Sequence, residues 1–190
     1  MNKMDSNTAL IIIDVQKGFD HPSWGPRNNP GAEAAIARLL GAWREAKRPI
    51  FHVQHLSRNP ASPLAPGQKG VEIKDEVKPL PGETVITKQV NSAFIGTDLE
   101  DRLRRAGIRN LVLTGFCTDH CVSTTTRMAA NLGFTAVMPA DTAVAFDRTG
   151  YDGKVYPAEK IHRTALASLH GEFATVVLSE TLLEAQVSKV

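Results

Sequence analysis

Apolar and polar positions fall in blocks along this chain, and the blocks switch between two periods. Positions 9–13, Ala-Leu-Ile-Ile-Ile, are apolar on both faces of a pleat, as a central parallel strand covered on both sides should be. The next block, 32–47, takes a helical period, with Ile36, Leu39, Leu40 and Trp43 on one stripe at i, i+3, i+4 and i+7. Pro49 ends it, and 50–54 predicts a second strand. A third, short strand is predicted at 84–88. Thr97 with Glu100 three residues on predicts a capping box before a helix whose inner face is Leu99, Leu103 and Ala106.

Further strands are predicted at 110–115, 135–138 and 174–178. Between them lie a helix running through Cys121 to Leu132 and stopped by Gly133, and one opened by Pro157 that runs to about His170. A last helix is predicted at 180–186. This alternation predicts an α/β fold with a parallel sheet covered on both faces. Two segments break the rhythm, 16–30 and the Pro- and Gly-rich 57–82, in which only 71–77 reads as locally ordered. Loops of that length are either functional lids or solvated connections.

Composition sets limits on function. The 190 residues are expected to form one domain, 1–190. A net charge of +2 with no Lys/Arg block argues against nucleic acid and anionic membrane as partners. Two cysteines four apart make neither a disulfide framework nor a zinc knuckle. No signal-peptide pattern opens the chain, and the run at 9–13 is too short to span a bilayer. A reduced, cytoplasmic protein is the expectation.

Candidate chemistry sits at strand ends. In an open parallel sheet, ligands bind outside the carboxyl ends of the strands. Asp14 ends strand one, Lys88 ends strand three and Cys121 follows strand four, so all three project toward one rim. If Thr118 caps the following helix, Cys121 lies in its first turn, where unpaired N–H groups favour a thiolate. Taken singly, Asp14 reads equally as a cap or magnesium ligand, Lys88 as a solvated strand end, and Cys121 as a small buried hydrophobe. Their convergence is the argument for a nucleophilic cysteine with an acid/base partner.

The blocks LIIIDVQKGF (10–19), PGETVITKQVNSAFIGTDLEDRLRRAGI (81–108) and TGFCTDHCVSTTTRMAANLGF (114–134) carry a family resemblance. So does the tail DTAVAF, YDG and AEKIHRTALASLHGEFATVV. Over nearly its whole length the chain resembles the isochorismatase-like cysteine hydrolases, a family that includes nicotinamidases and N-carbamoylsarcosine amidase. The resemblance implies a three-layer α/β/α fold with a six-stranded, mainly parallel sheet and an Asp14, Lys88, Cys121 triad. In those roles Cys121 attacks a carbonyl-type carbon, Asp14 takes the thiol proton, and Lys88 favours both negative charges. The resemblance also implies an oxyanion hole from the amides of Cys117 and Cys121, and a cis peptide at Phe116–Cys117. It implies homo-oligomers, dimers or tetramers, with a pocket often finished by a neighbouring subunit.

Departures from the family pattern bear on the substrate. Metal-binding nicotinamidases carry an aspartate and histidines after strand two, whereas here the stretch is Phe51-His52-Val53-Gln54-His55. His52 and His55 are three apart on a strand and face opposite ways, so no metal and no cofactor are expected. Retention of Cys121 favours hydrolysis of a C–N bond in a small amide, ureide or carbamoyl compound through a thioester-type intermediate. The alternatives are a vinyl-ether hydrolase acting on isochorismate, and a non-catalytic small-ligand binder. Phe19, Trp24 and Phe94 are candidates for an apolar pocket wall, and His55, Asn91 and Ser92 for polar contacts to substrate. Core packing for the aromatics and a turn at Asn91-Ser92 are the competing readings.

Overall fold

The computed structural model describes residues 5–187. Strands β1 (Ala9–Ile13), β2 (Ile50–His55), β3 (Thr84–Lys88), β4 (Asn110–Phe116), β5 (Thr135–Pro139) and a short β6 (Ala143–Val144) come first. A two-stranded hairpin, β7 (Arg148–Thr149) and β8 (Val155–Tyr156), follows, and β9 (Thr175–Val177) closes the sheet. Helices α1 (Ala32–Glu45), α2 (Leu99–Arg105), α3 (Ser123–Asn131), α4 (Ala158–Leu169) and α5 (Ser179–Val187) lie between or after them.

The sheet order is β3-β2-β1-β4-β5-β9, every pair parallel, with β6 added beside the end of β4. Strand β1 is buried throughout, because alternate side chains feed two cores. Ile11 and Ile13 join Leu99 and Leu103 of α2, Ala129 of α3 and Leu169 of α4. Leu10 and Ile12 join Ile36, Leu39, Leu40 and Trp43 of α1 and Leu182 of α5. Helices therefore cover both faces, giving three layers. The α1 stripe is fully buried, which contributes roughly 1.5–3 kcal/mol per large aliphatic side chain.

Gly115 is a steric requirement at the site end of the sheet. Its φ is +123°, and a Cβ there would stand 1.9 Å from the Ile13 carbonyl oxygen. That close approach packs β4 against β1 where both strands deliver candidate site residues.

The two long loops are tied down. Lys17 N donates to Glu72 O and Lys74 N to Val15 O, each at 2.9 Å, which pairs the first loop with the second. Lys74 Nζ bonds Glu33 of α1 at 2.8 Å and also Asp20, while Arg27 grips Glu33 through two bonds of 2.8 Å. Burial alone would raise Glu33, but the bonds from Arg27 and Lys74 together outweigh it and hold the carboxyl at about 2. Neither loop is a loose solvated connection.

Two expected caps are built differently. At α2, Thr97 Oγ1 accepts from Leu99 N at 3.4 Å and also donates to Ala93 O at 2.6 Å, but Asp98 directly precedes the helix and Glu100 accepts from Arg104 in place of closing the capping box. Cys121 does not start an α-helix: Thr118–Val122 is a wider π turn, and α3 begins only at Ser123. The β7–β8 hairpin and β6 are additions to the expected elements; each strand has two residues, too few to show a period. No described helix is long and apolar enough to cross a membrane.

Candidate active site

Strand order decides which side chains meet. Strand β2 lies between β3 and β1, and its last residue, His55, pairs in register with Lys88. The Lys88 side chain crosses the end of β2 and reaches the residue that leaves β1. Its Nζ stands 2.6 Å from Asp14 Oδ2, 3.2 Å from Cys121 Sγ and 3.0 Å from His55 Nδ1. An ammonium has three N–H donors, and all three are used. His55 Nδ1 is then an acceptor, which places the ring proton on Nε2.

Backbone geometry aims these groups. Asp14 takes a left-handed φ of 55°, with its N–H on Val53 O, and Gln16 N–H returns to Asp14 O at 2.8 Å. Cys121 rides the π turn, where the N–H groups of His120 and Val122 both bond Cys117 O at 3.1 Å. Side chains from elsewhere pin that turn. Thr118 Oγ1 lies 2.8 Å from His162 Nδ1 of α4, and Arg148 of β7 donates to Asp119 Oδ2 at 2.9 Å. The Thr118 hydroxyl is thus engaged with α4 instead of capping the helix. The Phe116–Cys117 peptide is cis.

Burial dominates the electrostatics. Asp14 is fully buried, which raises its carboxyl to about 6 even though the Lys88 charge and hydrogen bond pull it down. Burial, and then the Asp14 charge, push the Cys121 thiol up to about 12 against the opposing pull of Lys88. Burial thus works against the thiolate expected at a helix start. The sulfur is buried on a π turn, ahead of the helix proper. Burial and then Lys88 push His55 down to about 4, leaving it neutral. Burial likewise raises the Cys117 thiol. Asp14 Oδ1 is buried with no hydrogen-bond partner, the one carboxylate oxygen that Lys88 leaves free.

The other candidate residues are placed as follows. Phe94 belongs to the same apolar cluster as Cys121 and stacks on Phe134 at 5.8 Å. Phe19 and Trp24 pack in the cluster of the opposite sheet face, Phe19 lying 5.5 Å from Phe116 and 6.0 Å from Phe146. Ser92 Oγ accepts from Phe94 N at 3.2 Å, and Asn91 is exposed with its carbonyl facing Thr125 Oγ1, so the pair builds a turn. His52 is buried with its Nε2 2.9 Å from Glu83 Oε2, and it faces away from His55. An open cleft of about 500 Å³ walled by Arg44, Arg48, Leu80 and Glu83 lies at the opposite, amino-terminal end of β2 and β3.

Gln16 is the residue that sequence reading passed over. Fully buried, it donates from Nε2 to His55 O and Val71 O at 2.9 Å and accepts from His55 N at 2.8 Å. It locks the His55 backbone and the second loop beside Asp14. The available signal was a lone amide two residues after Asp14, in a run that then turns away from the sheet. His162 and Arg148 had no such signal, being more than 25 residues from the turn that they hold.

Comparison with known proteins identifies the family. The isochorismatase domain model matches residues 8–181. An uncharacterised isochorismatase family protein of Bacillus subtilis is 46% identical over 180 residues, covering 95% of this chain and 96% of that protein. A ureidoacrylate amidohydrolase of Variovorax paradoxus is 31% identical over 171 residues, covering 72% and 68%. The crystal structure of an isochorismatase family protein from Chromobacterium violaceum superimposes with a TM-score of 0.94 at 46% identity, covering 98% and 96%. Sequence and layered parallel sheet therefore agree, and the chain belongs to the isochorismatase family of hydrolases.

Proposed function

We propose that this protein is a cysteine-dependent hydrolase that cleaves a C–N bond in a small amide, ureide or carbamoyl compound. The observation that carries the reading is the Lys88 ammonium bonded at once to Asp14 and to the Cys121 sulfur. Asp14 Oδ1 is the base, since Oδ2 is committed to Lys88. As Sγ attacks the carbonyl carbon, the thiol proton passes to Oδ1 and the carbonyl electrons move onto oxygen. The N–H groups of Cys117 and Cys121 receive that oxyanion. Collapse breaks the C–N bond, Asp14 returns the proton to the leaving nitrogen, and a thioester-type intermediate remains on Cys121. Water then attacks it with Asp14 again as base, releasing the acid and restoring the thiol.

Lys88 has two effects here. It offsets the cost of burying the Asp14 charge, and it is already bonded to the sulfur when negative charge develops there. Relatives named as a ureidoacrylate amidohydrolase and a streptothricin hydrolase support a hydrolytic C–N reading. Phe94, beside Cys121 in the same apolar cluster, and the His55 ring are the groups that would meet substrate. A homo-oligomer is part of the same proposal.

The test is a panel of amides, ureides, carbamoyl compounds and isochorismate given to the parent protein and to Cys121→Ala. Turnover of a C–N substrate that Cys121→Ala abolishes, with the circular dichroism spectrum retained, is the expected result. Equal activity without the thiol, or turnover confined to the vinyl ether, would contradict the assignment.

A further inference from the structure

Lys88 Nζ does more than pair with Asp14: it stands among three atoms that are metal ligands by type. One ligand atom each from Asp14, His55 and Cys121 lies within 4.8 Å of the others. The ammonium touches all three, at 2.6, 3.0 and 3.2 Å. A thiolate sulfur, an imidazole nitrogen and a carboxylate oxygen are each zinc ligands, and tetrahedral zinc bond lengths place ligand atoms roughly 3.5 Å apart. A small contraction of the triangle would serve. The donors are prepared for it. Asp14 Oδ1 has no hydrogen-bond partner, His55 presents Nδ1 inward, and Gln16 fixes the His55 backbone from both sides.

We propose that Lys88 is the resident cation of a latent soft-metal site, and that it keeps zinc-like divalent ions off Cys121. The lysine is buried and covalently tethered, so its Nζ is held against all three ligand atoms. A dication arriving there meets a like charge at about 3 Å in a desolvated pocket, which is strongly repulsive. Removal of the ammonium reverses the balance. Asp14 is then a buried carboxylate without a counter-ion, and zinc would supply one. The step conserves electrons: a Zn–S bond forms, the Cys121 thiol releases its proton to water, and a water completes the coordination. The inference does not rest on the hydrolase reading, since zinc binding is measured without turnover.

Lys88→Ala, and Lys88→Met to retain the volume of the side chain, would be titrated with zinc against a chromophoric chelator. One zinc per chain is expected, bound at least about tenfold more tightly than by the parent protein. Adding His55→Ala or Cys121→Ala to either variant should weaken binding by about tenfold or more. A variant that folds by circular dichroism yet binds no more tightly than the parent overturns the proposal, as does tight binding that survives loss of both His55 and Cys121. The parent protein gives a separate test that needs no variant. Zinc should leave the rate of Cys121 alkylation by iodoacetamide unchanged, and protection of the thiol would overturn the exclusion role.

Discussion

On the proposed mechanism, Asp14 sets the pH dependence. To accept the thiol proton it must be ionised, and burial has raised its carboxyl to about 6. kcat/KM on a C–N substrate should therefore fall about tenfold per pH unit below about 6 and level off above it. The Cys121 thiol, at about 12, adds no second limb near neutrality. A pH profile of initial rates checks this, and a limb centred near 4 would contradict the burial argument. The same shift opposes stability. The native site holds a proton more tightly than the unfolded chain, so the contribution of Asp14 to stability falls as pH rises from 3.8 to about 6. At this scale the sequence showed the identities of the three groups. It did not show their protonation, because that depends on burial, which only the packed rim defines.

Among elements, the informative link is between the long loops and α1. Lys74 lies on the second loop, Glu33 in the first turn of α1 and Arg27 on the first loop, so one buried carboxylate gathers three segments. Lys74→Met should cost about 3 kcal/mol at pH 7, the low end for breaking a buried pair, because Arg27 still holds Glu33. The linkage sign is that of a lowered acid. The ion pairs of Glu33 contribute stability above its ordinary value of 4.5 and lose it as pH falls toward about 2. Urea unfolding at pH 7 and near pH 3 should show the gap between parent and variant narrowing in acid. A gap that stays constant would mean that Lys74 acts through packing alone. Such cross-links are invisible to periodicity, since their partners are 41 and 54 residues apart. The strands and α1 were legible for the opposite reason, their signals being continuous and local.

At the scale of the molecule, the rim rule for parallel sheets brought Asp14, Lys88 and Cys121 together before any coordinates. What it lacked was the strand order. Only with β2 between β3 and β1 does His55 fall beside Lys88, and only then is the ammonium saturated. The same order leaves one Asp14 oxygen without a partner, open for the proposed role of base. The central claim is that Cys121 carries the acyl group during turnover. Its most direct measurement is acid quenching of the protein in the presence of a slowly turned-over C–N substrate, followed by peptide mass spectrometry. The expected result is an adduct with the mass of the acyl or carbamoyl portion on the peptide containing Cys121, decaying as product forms. Turnover with Cys121 unmodified at every quench time, or an adduct on another side chain, would contradict it.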